Sequence, residues 1–183
     1  MRPTDGSRTD RIPGEGGFTL VELMVTISIS AILMTVAIPS FRDFLLNNRR
    51  STQANDFVLA LTSAKSEAVK RGVPVTLCSR ASDTTCAGST TWDSGWLVFV
   101  DNNLPRGTIN GTDIVLQVRP PLEGGNTLRA GARSFVTFQN TGFSSGFTDT
   151  FNLCDVRGAA DGRSILVNNV GRSSVVAGAT ACP

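Results

Sequence analysis

The sequence predicts an α+β protein in which one long N-terminal helix, like the stick of a lollipop, packs against a mostly antiparallel β head. Three observations carry this expectation. Residues 18–38 form a nearly unbroken apolar run, apolar residues then recur at steps of three and four as far as Ala68, and from Val73 onward short β-rich runs alternate with Gly, Asn, Ser and Pro. One amphipathic helix followed by many strands buries its apolar stripe on the sheet that comes after it, which is the α+β solution.

The first element is the apolar run. About 20 such residues are enough to cross a bilayer as a helix, yet this run contains one carboxylate, Glu22. An ionisable group at that depth costs roughly 2.5 to 3.5 kcal/mol on insertion scales, so it calls for a positive partner at similar depth. Cleavage after Gly17 would supply one as a free amine on Phe18, and would also remove the hydrophilic residues 1–17. In that leader Arg2, Arg8 and Arg11 balance Asp5, Asp10 and Glu15. The positive-inside bias counts the arginines and largely ignores the acids, which predicts a cytoplasmic N-terminus and an outer C-terminus.

The helix continues as an amphipathic element over residues 39–71. Phe41, Phe44, Leu45, Ala54, Phe57, Val58, Leu61, Ala64 and Ala68 form its stripe, and that stripe is expected to dock on the sheet. Pro39 deprives the ladder of one N–H and predicts a kink or a softened turn. Lys70 and Arg71 followed by Gly72 read as a C-terminal stop. Arg49 and Arg50 read as a solvated face.

Residues 72–183 form the head. Strands are expected at 73–78, 95–101, 114–119, 134–139, 150–154, 164–168 and 172–176, the last two joined by a hairpin turn at 169–171. Trp92 and Trp96 read as packing residues rather than a ligand box. Asp101, Asn102, Asn103, Asn110 and Asp113 make an oxygen-rich loop, but Leu104 and Pro105 interrupt it and no glutamate closes it, so an Asx-rich turn is expected in place of a calcium site.

Composition narrows the function classes. The chain of 183 residues has no His and no Tyr, which removes the commonest metal ligand and the usual neutral-pH base, and with no convincing nucleophile and base an enzyme is not expected. No cofactor and no metal are expected. Cys78, Cys86, Cys154 and Cys182 contain no Cys-x-x-Cys pair and, in an oxidising compartment, imply two disulfides. Of three possible pairings, Cys78 with Cys86 and Cys154 with Cys182 is favoured because each closes a loop without crossing the other. From Gly72 onward eight arginines and no lysine face eight acids, so the head is neutral.

The run Gly17-Phe18-Thr19-Leu20-Val21-Glu22 resembles the type III signal of type IV prepilins and type II secretion pseudopilins. The resemblance implies cleavage between Gly17 and Phe18 by a prepilin peptidase, methylation of the new amine on Phe18, and pairing of Glu22 with an N-terminal amine during filament assembly. The head is similar to the GspH/FimT family through Ser66-Glu67-Ala68-Val69-Lys70-Arg71-Gly72, Val75-Thr76-Leu77-Cys78, Trp92 with the run 95–101, and Val170-Gly171-Arg172. It implies a minor pilin held in the inner membrane with its head in the periplasm, then drawn into a type IV pilus among other pilins. Two alternatives share this resemblance: the minor pseudopilin H of a type II secretion system, and a DNA-binding pilin for natural transformation. For DNA the candidates are Arg157, Arg163 and Arg172. Related DNA receptors carry Gly-Arg-x-Arg at this hairpin, whereas here Gly171-Arg172-Ser173-Ser174 keeps only the first arginine. Phosphate neutralisation dominates nucleic-acid affinity, so a neutral head would need these three to cluster.

Overall fold

The computed structural model describes residues 17–182. The leader read at residues 1–17 therefore lies, apart from Gly17, outside the described residues. Helix α1 (Leu20–Arg71) is followed by β1 (Val75–Ser82), β2 (Thr85–Cys86), β3 (Trp96–Val100), β4 (Ile114–Arg119), β5 (Thr127–Ala130), β6 (Phe135–Phe138), β7 (Asp149–Cys154), β8 (Arg163–Val167) and β9 (Ser173–Ala177). The chain divides into two compact units, Met1–Arg42 and Asp43–Pro183. The helix is unbroken through Pro39. It stops where expected, because Gly72 takes a left-handed φ of 69° and its N–H returns to the Ala68 carbonyl at 3.0 Å.

Within Asp43–Pro183 the helix buries Ala54, Phe57, Ala60, Leu61, Ala64 and Ala68 in the main core. Alanine at four of these positions lets the sheets approach the helix closely, and Phe57 fills the centre. Its ring lies 5.6 Å from Trp92 and 5.0 Å from Trp96, both edge-on, and 4.8 Å from Phe151. Both tryptophans are fully buried, so the packing reading holds. The stripe docks only in part: Phe41, Phe44 and Leu45 are exposed. They lie at or beyond the edge of the helical stretch that contributes to the core.

Two antiparallel sheets make the head. In the first, β1 lies between β3 and β6, β4 flanks β3, and the two-residue β2 folds back on the end of β1. The second runs β5-β7-β8-β9. All seven expected strands are present within a few residues of their expected bounds; β2 and β5 were not anticipated. The outer face of the first sheet has a smaller core of Cys78, Leu97 and Phe99, against which Cys86, Ile109, Val115 and Phe135 pack.

The expected hairpin joins β8 to β9. Its tip requires glycine, since Gly171 has φ 71° and a Cβ there would sit 2.2 Å from the Gly142 carbonyl oxygen. From α1, Lys65 Nζ donates to the Val170 and Gly171 carbonyls at 3.3 and 3.2 Å, fixing the tip. Disulfides Cys78–Cys86 and Cys154–Cys182 close as favoured. The second anchors the C-terminal tail, whose Thr180 donates through N–H and Oγ1 to Asn152 Oδ1 at 3.0 and 3.1 Å.

Candidate functional site

The start of α1 is built by local chemistry. Thr19 sits just outside the helix, its Oγ1 accepts the Glu22 N–H at 3.2 Å, and its carbonyl accepts the Leu23 N–H at 3.1 Å. Thr19 is thus the N-cap, and the Thr-x-x-Glu spacing places Glu22 at the third helical position, where a carboxylate also favours the helix dipole. Reading the apolar run by hydropathy overlooked this cap, although the capping-box spacing is visible in the sequence.

Beyond the cap, every residue from Phe18 to Phe44 is exposed. The helix contains a stretch long and apolar enough to cross a membrane, and none of that stretch is buried. Its hydroxyls do not need outside partners. Thr26 donates to Leu23 O at 2.9 Å, Ser28 to Met24 O at 2.7 Å, Ser30 to Thr26 O at 2.7 Å and Thr35 to Ile32 O at 2.7 Å. Such i−3 and i−4 bonds hide side-chain oxygens against the helix itself. Glu22 differs: among the described residues none gives its carboxylate an ion pair, and a carboxylate has no hydrogen with which to bond back. One carboxylate without an ion-pair partner among the described residues is thus displayed one turn from the start of an otherwise self-satisfied apolar helix. Gly17 and Phe18 precede the cap, and Phe18 is 83% exposed.

In the head, Arg50 corrects the expectation of a solvated face, for it is 5% exposed, whereas Arg49 is exposed. The Arg50 guanidinium lies 3.6 Å from Asp155 Oδ2, and its Nη2 donates to Asn47 Oδ1 at 2.9 Å. Asp155, whose side chain is fully buried at the end of β7, also accepts from Arg157 Nη2 at 2.6 Å and from the Arg157 N–H at 2.9 Å. Arg157 then reaches α1, donating to Asn47 Oδ1 at 3.0 Å and lying 3.5 Å from Asp43. Burial would raise the Asp155 carboxyl, but the hydrogen bonds and charge of Arg157, with the charge of Arg50, outweigh it and hold the carboxyl below its usual range. The Asp155 hydrogen bond raises Arg157, while burial lowers Arg50. This network clamps the helix to the second sheet.

The three arginines considered for DNA are not gathered into one patch. Arg157 is committed to Asp155, Asp43 and Asp161, and Arg163 is half-buried at the same end of the sheet, where its charge acts on Arg50. Arg172 is exposed at the opposite end of β8, beside Asn168. Five strand residues at ~3.3 Å each place it about 17 Å from Arg163 along the ribbon. The oxygen-rich loop satisfies itself. Asp101 accepts from Thr76 Oγ1 at 2.6 Å and the Gly107 N–H at 3.0 Å, and Asp113 accepts from the Asn102 and Asn110 N–H groups at 2.9 and 3.0 Å.

Comparison with known proteins adds three findings. Residues 53–171 match the family model described as "Type II transport protein GspH", and residues 13–38 match the prokaryotic N-terminal methylation motif. Two curated fimbrial proteins of Pseudomonas aeruginosa are each 35% identical to the chain over 68 residues, covering 37% of it. The chain spans 44% of the length of those relatives. Crystal structures of the type IV minor pilin FimU of Pseudomonas aeruginosa PAO1 in two space groups superpose with TM-scores of 0.60 and 0.57, at 20% and 19% identity. They cover 76% and 73% of this chain and 99% of theirs, so the fold is shared.

Proposed function

Because the chain belongs to the GspH family and carries the prokaryotic N-terminal methylation motif, we propose that it is a minor pilin, a non-enzymatic subunit incorporated into a type IV pilus. The observation that carries this reading is the Glu22 carboxylate on an apolar helix whose other polar groups are satisfied internally. A prepilin peptidase cuts between Gly17 and Phe18 and the Phe18 amine is methylated. The apolar segment holds the subunit in the inner membrane with the head in the periplasm. Pairing of Glu22 with the N-terminal amine of a neighbouring pilin relieves the cost of the carboxylate, favours insertion among the other subunits and sets their axial register.

The fimbrial relatives and the FimU-like head support the pilus. The description of the matched family supports a second reading, a minor pseudopilin of a type II secretion system, because both filaments use the same N-terminal physics. Deletion separates them: loss of surface pili is expected, whereas loss of exoprotein secretion with intact pili establishes the second reading. The assembly role is tested by Glu22→Ala, which is expected to be cleaved normally and to enter filaments poorly. Normal incorporation would refute the pairing mechanism.

A further inference from the structure

The second sheet has two unlike edges. On the β5 side the preceding segment already pairs with it, since Trp92 N–H donates to Leu128 O and Ala130 N–H to Thr90 O, both at 2.9 Å. On the β9 side no described strand follows. The C-terminal tail turns back toward β7, where Thr180 binds Asn152, and so leaves that edge open.

The phase of the open edge can be read from its ladder. Asn168 N–H donates to Arg172 O at 3.1 Å, and β8 and β9 stay in register without a shift, with Leu166 opposite Ser174 and Ser164 opposite Val176. Hydrogen-bonded pairs alternate along an antiparallel ladder. Residues 172, 174 and 176 therefore direct their backbone groups at β8, and Ser173, Val175 and Ala177 direct theirs outward. Edges are normally blunted with charge, proline or a bulge. The Ser-Ser-Val-Val-Ala strand has none of these, and Val175 and Val176 are 42% and 50% exposed. By contrast β4, at an edge of the first sheet, ends in Arg119 followed by Pro120 and Pro121.

We infer that the β9 edge pairs antiparallel with the β9 edge of a second copy of this chain, centred on Val175. In that register Val175 faces its own copy and Ser173 faces Ala177, so every outward N–H and C=O on the strand finds a partner. The side chains brought together are small or β-branched, which suits cross-strand contact. Arg172 and its copy fall at opposite ends of the ribbon, about 20 Å apart at ~3.4 Å per residue, beyond effective repulsion in physiological salt. The two sheets become one continuous sheet across a two-fold axis. This pairing is independent of the pilus reading, because it involves only the head.

The unit Asp43–Pro183 holds both hydrophobic cores and both disulfides, so it is the form to test, beside the full chain in detergent micelles. Sedimentation equilibrium is expected to show reversible dimers of each. Val175→Cys is expected to cross-link under mild oxidation, because hydrogen-bonded pairs hold Cα atoms about 5.5 Å apart, within disulfide range. Ser174→Cys, offset from its own copy, is expected not to. Val175→Pro removes only an outward N–H, and Val175→Lys adds charge to the edge while keeping the ladder. Each that folds is expected to weaken dimerisation at least about tenfold. A monomer at the highest soluble concentration, equal cross-linking at Ser174, or undiminished dimerisation in Val175→Lys would overturn the inference.

Discussion

Asp155 is the residue on which the head's charge network converges. Removing it takes from the buried Arg50 its ion-pair partner, and breaking such a pair costs about 3–5 kcal/mol. Asp155→Ala is therefore expected to lower the urea stability of Asp43–Pro183 by roughly that amount, measured against a much smaller effect for Asp113→Ala in the loop. The pH dependence has a definite sign. The folded Asp155 carboxyl is held below its unfolded value, so its stabilisation is complete above the ordinary carboxylate range and is lost as pH falls through the lower, folded value. Acid titration of urea midpoints is expected to show this loss in the native head and not in Asp155→Asn. Arg50 shows why the network escaped a linear reading, since an arginine on a helix is by default assigned to solvent. A signal was present, because Arg50 stands four residues before Ala54 on the stripe that continues through Phe57, Leu61, Ala64 and Ala68. Its partner Asp155 lies far downstream, and no local pattern joins the two.

Among the elements, the strands that were legible are those dense in β-branched and aromatic residues, such as Trp96–Val100 and Ile114–Arg119. Strand β5 was not, because Thr-Leu-Arg-Ala is short and lies between Gly124-Gly125 and Gly131; its pairing with β7 and with residues 90–92 makes it a strand. The disulfides act on different elements. Cys154–Cys182 closes a separation of 28 residues and Cys78–Cys86 one of 8, for which chain entropy gives about 3.6 and about 2.5 kcal/mol. Replacing Cys154 and Cys182 together by serine is thus expected to lower stability more than replacing Cys78 and Cys86. It should also release the tail from Asn152, which limited proteolysis of the C-terminus would detect.

For the whole molecule, charge distribution matters more than net charge. The head balances its arginines with acids, Arg157 is held by aspartates, and Arg163 and Arg172 lie at opposite ends of β8. Titration of Asp43–Pro183 with duplex DNA at low salt is expected to show no saturable binding. Saturable, salt-sensitive binding that weakens in Arg172→Ala would return the DNA-receptor role to consideration.

The sequence by itself determined what is linear and local: the apolar helix with its single carboxylate, the helix stop at Gly72 and the hairpin before Arg172, and it favoured the sequential disulfide pairing among three. These depend on spacing within a few residues or on loop closure, and the motif match at residues 13–38 rests on the same kind of signal. Only the tertiary structure decided that Arg50 is buried on Asp155, that residues 127–130 form a strand, that the three arginines do not converge and that β9 is an open edge. Each depends on which segments meet after the chain folds, and desolvation, strand pairing and charge proximity act through those contacts rather than through sequence spacing.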